Sequence, residues 1–163
     1  MTDFVPHLAG VHHLKLPVRD LARSREWYTS RLGYEVELEF VEDGKLMGLA
    51  MRHPNGGPDF GLRLDPERAE AAAGFDYFSI GVPDKESIEA LAARMTELGE
   101  EHAGVHRATA GWIMPLLHDP DGHEVRFYTI AHHTEFAEPA VVHNPRETAE
   151  ALERAEKLER QHG

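Results

Sequence analysis

Apolar and polar residues alternate with period two over Val11–Val18, where Leu14, Leu16 and Val18 share one side of an extended chain and His13 and Lys15 the other. Asp20 follows as a helix N-cap, and Leu21, Ser24, Trp27, Tyr28 and Leu32 then recur at helical spacing until Gly33 closes the helix. Alternation resumes over Tyr34–Val41, with Val36, Leu38 and Phe40 against Glu35, Glu37 and Glu39. Asp43-Gly44 marks a hairpin into a strand over Leu46–Met51. The turn-rich run His53–Pro58 leads to a short strand, Phe60–Leu64.

The order then repeats. Phe75–Val82 alternates as Val11–Val18 does, and Asp84 opens a helix with Ile88, Leu91, Ala92, Met95 and Leu98 on one stripe, ended by Gly99. Val18 to Val82 and Asp20 to Asp84 are the same distance apart, 64 positions (82 − 18 and 84 − 20). Strands are predicted over Val105–Ala108, Trp112–Leu117 and Glu124–Thr129, with a turn at Asp119-Pro120-Asp121-Gly122. The fold class is α+β: two tandem βαβββ modules, about 9–66 and 74–131, within a domain spanning 1–134. Beyond Ile130 the pattern stops. In the extension 135–163, Asn144 before Pro145 opens a predicted helix over about 145–161, laced by Glu150–Arg154, Glu153–Lys157 and Glu156–Arg160 pairs.

Composition narrows the functional classes. A formal net charge of −12 over 163 residues argues against a nucleic-acid partner, whose phosphates demand a basic footprint. No apolar run approaches the roughly 20 residues that span a bilayer, and the start Met1-Thr2-Asp3-Phe4 lacks the features of a signal peptide. The absence of cysteine excludes thiolate metal sites and points to the cytoplasm. Twelve histidines invite a metal reading. Adjacent residues on a strand face opposite sides, however, so the doublets His12–His13 and His132–His133 each offer one ligand per face.

The run His13-Leu14-Lys15-Leu16-Pro17-Val18-Arg19-Asp20-Leu21 with Trp27-Tyr28 and Leu32-Gly33, and Asp119-Pro120-Asp121-Gly122-His123-Glu124-Val125-Arg126-Phe127, resemble the vicinal oxygen chelate superfamily of glyoxalases, bleomycin-resistance proteins and extradiol dioxygenases. The resemblance implies that each sheet curls into half of a cupped barrel and that the two halves enclose one cavity. In metal-dependent relatives a divalent ion is held by one side chain from the first and one from the last strand of each module. Residue by residue, His13 matches. Tyr77 stands at its counterpart, Arg126 at the second last-strand position, and Arg63 most naturally at the first. Arginine has no lone pair to give, so the implied metal site is reduced to His13, and no cofactor is expected.

Strand parity then nominates His13, Lys15, Arg63, Tyr77, Ser79, Glu124, Arg126 and Tyr128 for the inner faces. Trp112, Met114, Leu116 and His118 share one face of a neighbouring strand, and the sequence does not say which; a binding cavity would have Trp112 beside Tyr77 and Tyr128 as its aromatic wall. Such a set suits a small aromatic or anionic organic molecule bound without metal. A competing reading has Arg63 and Arg126 paired with nearby acids such as Glu124, Glu35 or Glu37 and merely supporting the fold. The alternative function is an enzyme (lyase, isomerase or ring-opening dioxygenase) in which His13 works with unidentified metal ligands, or with Tyr77 as an acid–base pair. Unpaired strand edges favour a homodimer.

Overall fold

The computed structural model of the chain describes residues 6–133 and 135. The predicted helix over 145–161 and most of the extension 135–163 lie outside the described residues. Two compact units part between Ala73 and Gly74.

In the first unit, β1 (His13–Val18), α1 (Leu21–Leu32), β2 (Glu35–Glu42), β3 (Lys45–Arg52), β4 (Asp59–Leu64) and α2 (Pro66–Ala72) follow in order. Its four strands lie in the order β1-β4-β3-β2, with β1 and β4 parallel and the other neighbours antiparallel. The Asp20 carboxylate accepts the Arg23 amide at 3.0 Å to start α1. Gly33, at φ 79°, closes it in the left-handed region that favours glycine. Leu21, Ser24, Trp27 and Tyr28 are buried on one side of that helix. They meet Leu16, Val18, Leu49, Met51, Phe60 and Leu62, which are buried on the facing side of the sheet. An aromatic cluster of Trp27, Tyr28, Tyr34 and Phe60 anchors this core, with Tyr28 edge-on to Trp27 at 4.9 Å. Each such ring, fully buried, contributes on the order of 2–3 kcal/mol.

The second unit repeats the order. It comprises β5 (Asp76–Val82), α3 (Lys85–Glu97), β6 (His106–Arg107), β7 (Trp112–His118) and β8 (Glu124–Thr129). Its sheet runs β5-β8-β7-β6, again with the first and last strands parallel. Asp84 caps α3 through the Ser87 amide at 2.9 Å, while Leu98 is the C-terminal cap and half exposed rather than part of the apolar stripe. The Asp119 carboxylate accepts the amides of Asp121 and His123, which makes Asp119–Gly122 the expected turn.

The repeat has one consequence for the site. Ladder register pairs Lys15 with Gly61 and Pro17 with Arg63 in the first sheet, and Ser79 with Arg126 and Gly81 with Tyr128 in the second. Shifted by 64 positions, Ser79 corresponds to Lys15 and Gly81 to Pro17. The first-unit counterpart of Arg126 is therefore Gly61, and Arg63 corresponds to Tyr128. The assignment of Arg63 is corrected by two positions, because the turn before β4 is not matched in length by the turn before β8.

Candidate functional site

The face of the first sheet turned away from α1 carries a groove of about 420 Å3. His13 and Lys15 on β1 and Gly61 and Arg63 on β4 alternate with the buried Leu16 and Val18 and with the buried Phe60 and Leu62, so all four stand on that face. Its far wall is β2. Leu38 and Phe40 line the groove and are 54% and 47% exposed, although their alternation reads as a core face. Irregularities in the β2–β3 ladder between Val36 and Leu38, and again between Phe40 and Val41, separate these side chains from the core. Ala50 and the backbone of Gly61 form the base.

His12 also lines this groove. Alternation starts at His13, where the ladder starts, and His12 precedes it. The two rings therefore meet edge to face at 5.2 Å, with their Nδ1 atoms 3.0 Å apart, one donating and the other accepting. The expectation that this doublet splits across two faces is overturned by that start point. The second doublet does divide its roles. His133 bonds the Ala108 and Gly111 carbonyls, whereas His132 is exposed.

Arg63 is committed within the sheet. Its Nη1 and Nη2 donate to both oxygens of Glu42 at 2.6 and 3.0 Å, and this bond holds the Glu42 carboxyl below its ordinary range. Tyr34, beneath the groove, has its phenol pushed up to about 12, first by burial and then by the Asp59 carboxylate. Its ring lies against Phe60 and takes no part in the open face.

On the second sheet Ser79, Arg126 and Tyr128 share one face with the exposed Tyr77, opposite the buried Val125 and Phe127. Arg126 Nε sits 3.1 Å from both Glu124 and Asp76 carboxylate oxygens. Burial holds the Asp76 carboxyl above its ordinary value while Arg126 pulls it back. The Tyr128 hydroxyl accepts the Ala110 and Gly111 amides and pins the β6–β7 loop. Tyr77 lies edge-on to the buried His123 at 5.8 Å. Both arginines thus pair with acids, as the competing reading has it, with Glu42 and Asp76 as partners the sequence did not single out.

Trp112 does not join Tyr77 and Tyr128. Ile113 is the ladder partner of Tyr128, so its neighbour Trp112 points to the other face. There the Lys85 ammonium at the start of α3 lies 4.3 Å from its ring centroid. Among the described residues, no group of three or more His, Cys, Asp or Glu side chains is arranged to hold a metal ion. No helix among them is long and apolar enough to cross a membrane.

The family model of the glyoxalase/bleomycin resistance protein/dioxygenase superfamily matches residues 10–127. The chain belongs to this superfamily. Solved members of similar fold include a glyoxalase/bleomycin resistance protein/dioxygenase domain from Frankia sp. EAN1pec (25% identity, TM-score 0.61, covering 76% of this chain and 98% of that one). A lactoylglutathione lyase from Agrobacterium tumefaciens shares 18% identity at TM-score 0.61 over 76% of this chain and 95% of its own. An antibiotic-binding protein from Streptomyces sp. CB03234 shares 18% at TM-score 0.55 over 76% and 98%. No protein of curated function matches the chain. Superfamily membership supplies the scaffold; the chemistry has to be read from the side chains.

Proposed function

We propose that the chain binds a small organic molecule in the groove of its first sheet, without a divalent metal. The observation that carries this is the groove itself: apolar walls of Leu38, Phe40 and Ala50, a bare floor at Gly61, and a polar lining in which Lys15, Arg63 and the imidazoles stand with Glu37, Glu42 and Asp59. The ligand set of metal-dependent superfamily members does not fit these residues. His13 keeps a suitable nitrogen, but Gly61 has no side chain. Tyr77 replaces a histidine, and Arg126 offers only donors that face carboxylates. A divalent ion beside that guanidinium would be repelled. No catalytic step is assigned through a metal; the fold serves both an antibiotic-binding protein and a lactoylglutathione lyase, so the reading rests on this chain's own side chains.

Gly61 supplies the test. A Cβ built there meets its nearest atoms, in His13, Leu14 and Lys15, at 3.7–3.8 Å, which is ordinary contact. Gly61→Val therefore fills the floor without straining the strand. It is expected to leave the fold intact by circular dichroism and to weaken binding of an aromatic probe at least ten-fold. Unchanged binding in a folded Gly61→Val protein overturns the assignment. Association of two copies through the exposed edge strands β2 and β6 belongs to the same proposal, and sedimentation analysis reads it directly.

A further inference from the structure

A second groove, of about 490 Å3, adjoins the first and is lined by Lys15, Pro17, Arg63, Leu64, Asp65 and Arg68. Lys15 and Arg63 are common to both grooves, so one begins where the other ends. The charges around this junction are nearly balanced. Arg63 is held by Glu42, and Arg68 donates to Asp65 at 2.7 Å. Among the described residues Lys15 makes neither a hydrogen bond nor an ion pair. Its charge contributes only weakly to lowering the Glu42 carboxyl. Three cations face two carboxylates at the junction, and Glu37 and Asp59 also line the first groove, so Lys15 is distinguished as the lining Lys or Arg that no acid holds rather than by a surplus of charge.

The position of Lys15 suits it to reach into either groove. Its ladder partner is Gly61, and a Cβ there would lie 3.8 Å from Lys15 Cγ. The lysine stem therefore crosses bare backbone, and its ammonium can swing from the groove floor to the ridge. A flexible ammonium with three donors and no partner is a ready anchor for a single acid group.

Resting on the reading of the first groove as the binding site, we infer that Lys15 selects an elongated organic monoanion. Its flat apolar body lies along Leu38 and Phe40, and its carboxylate or sulfonate sits at the ridge between the grooves.

Two fluorescent probes with a common skeleton test this: anilinonaphthalene sulfonate and the neutral phenylnaphthylamine. The wild-type protein is expected to bind the sulfonate about five-fold more tightly than the neutral probe, the scale of one solvent-exposed charge pair. Lys15→Gln is expected to remove that preference without changing the neutral affinity, and Lys15→Glu to reverse it. Equal losses for both probes, or no change for either, overturn the role of Lys15 while leaving the groove in place. Failure of both probes to bind the wild type, or binding that survives Gly61→Val, overturns the groove reading and this inference with it.

Discussion

Removing the Arg126 guanidinium is the sharpest test of how the second sheet is held together. Its Nε lies 3.1 Å from a carboxylate oxygen of Glu124 and of Asp76, whose side chains are 6% and 37% exposed, while Arg126 itself is 31% exposed. Unit charges about 4 Å apart interact by roughly 4 kcal/mol at an effective dielectric of about 20. Stranding one partner of a buried pair costs about 3–5 kcal/mol. Glu124 is buried, but water reaches Arg126 and Asp76, so the figure for Arg126→Met is discounted to about 2–3 kcal/mol. That corresponds to a melting temperature lowered by about 6–9 °C in a chain of this size.

The pH dependence has a definite sign. Burial holds the Asp76 carboxyl above its ordinary 3.8, the Glu124 charge adds to the rise, and Arg126 opposes it. The folded chain therefore keeps this proton to higher pH than the unfolded chain. Its contribution to stability is complete below about 3.8 and is lost as pH rises through the folded value. Without Arg126 the folded value moves further up. The gap between wild type and Arg126→Met is thus expected to be widest near neutrality and to narrow toward about pH 4. Thermal melts followed by circular dichroism at both pH values measure this, with Glu124→Gln closing a double-mutant cycle. A loss below about 1 kcal/mol, a gap independent of pH, or simple additivity with Glu124→Gln would mean that Arg126 does not hold this pair of carboxylates.

Other outcomes follow from the first unit. Glu42→Gln frees the bidentate Arg63 fork beside Lys15, so affinity for the anionic probe is expected to rise by about two- to five-fold, read by the same fluorescence titration. His53 bonds the Leu32 carbonyl at 2.8 Å and accepts the Asn55 amide at 3.1 Å, tying the end of α1 to the loop before β4. His53→Ala is expected to cost about 1–2 kcal/mol in urea denaturation and to leave probe binding within two-fold, since this ring lies outside the groove.

Most of the fold was legible because its signals are local and repeated. Asp20 and Asp84 cap helices at the same place in each module, and Gly33 closes α1 as its spacing predicted. The strands beside them follow the alternation of Leu14, Leu16 and Val18. The site was legible only in part. His13, Lys15 and Arg63 do share one face, as parity required. Leu38 and Phe40 were missed because alternation marks a shared face without saying whether that face meets a helix or water. Gly61 gave no chemical signal, and only the ladder register shows that it stands where Arg126 stands in the other module. Trp112 could not be placed from sequence, because alternation along its strand leaves open which face meets the helix; only the pairing of Ile113 with Tyr128 puts Trp112 on the other side. Glu42 and Asp76 lie 21 and 50 residues from the arginines they hold (63 − 42 and 126 − 76), a separation at which sequence carries no pairing signal.

Metal-free capture in the first groove is tested most directly by titrating chelator-treated protein with anilinonaphthalene sulfonate in a calorimeter, then repeating the titration with added zinc or nickel. Saturable binding of one molecule per chain is expected, with an affinity that the metals leave unchanged and Gly61→Val weakens at least ten-fold. Binding that appears only after zinc or nickel is restored would contradict it.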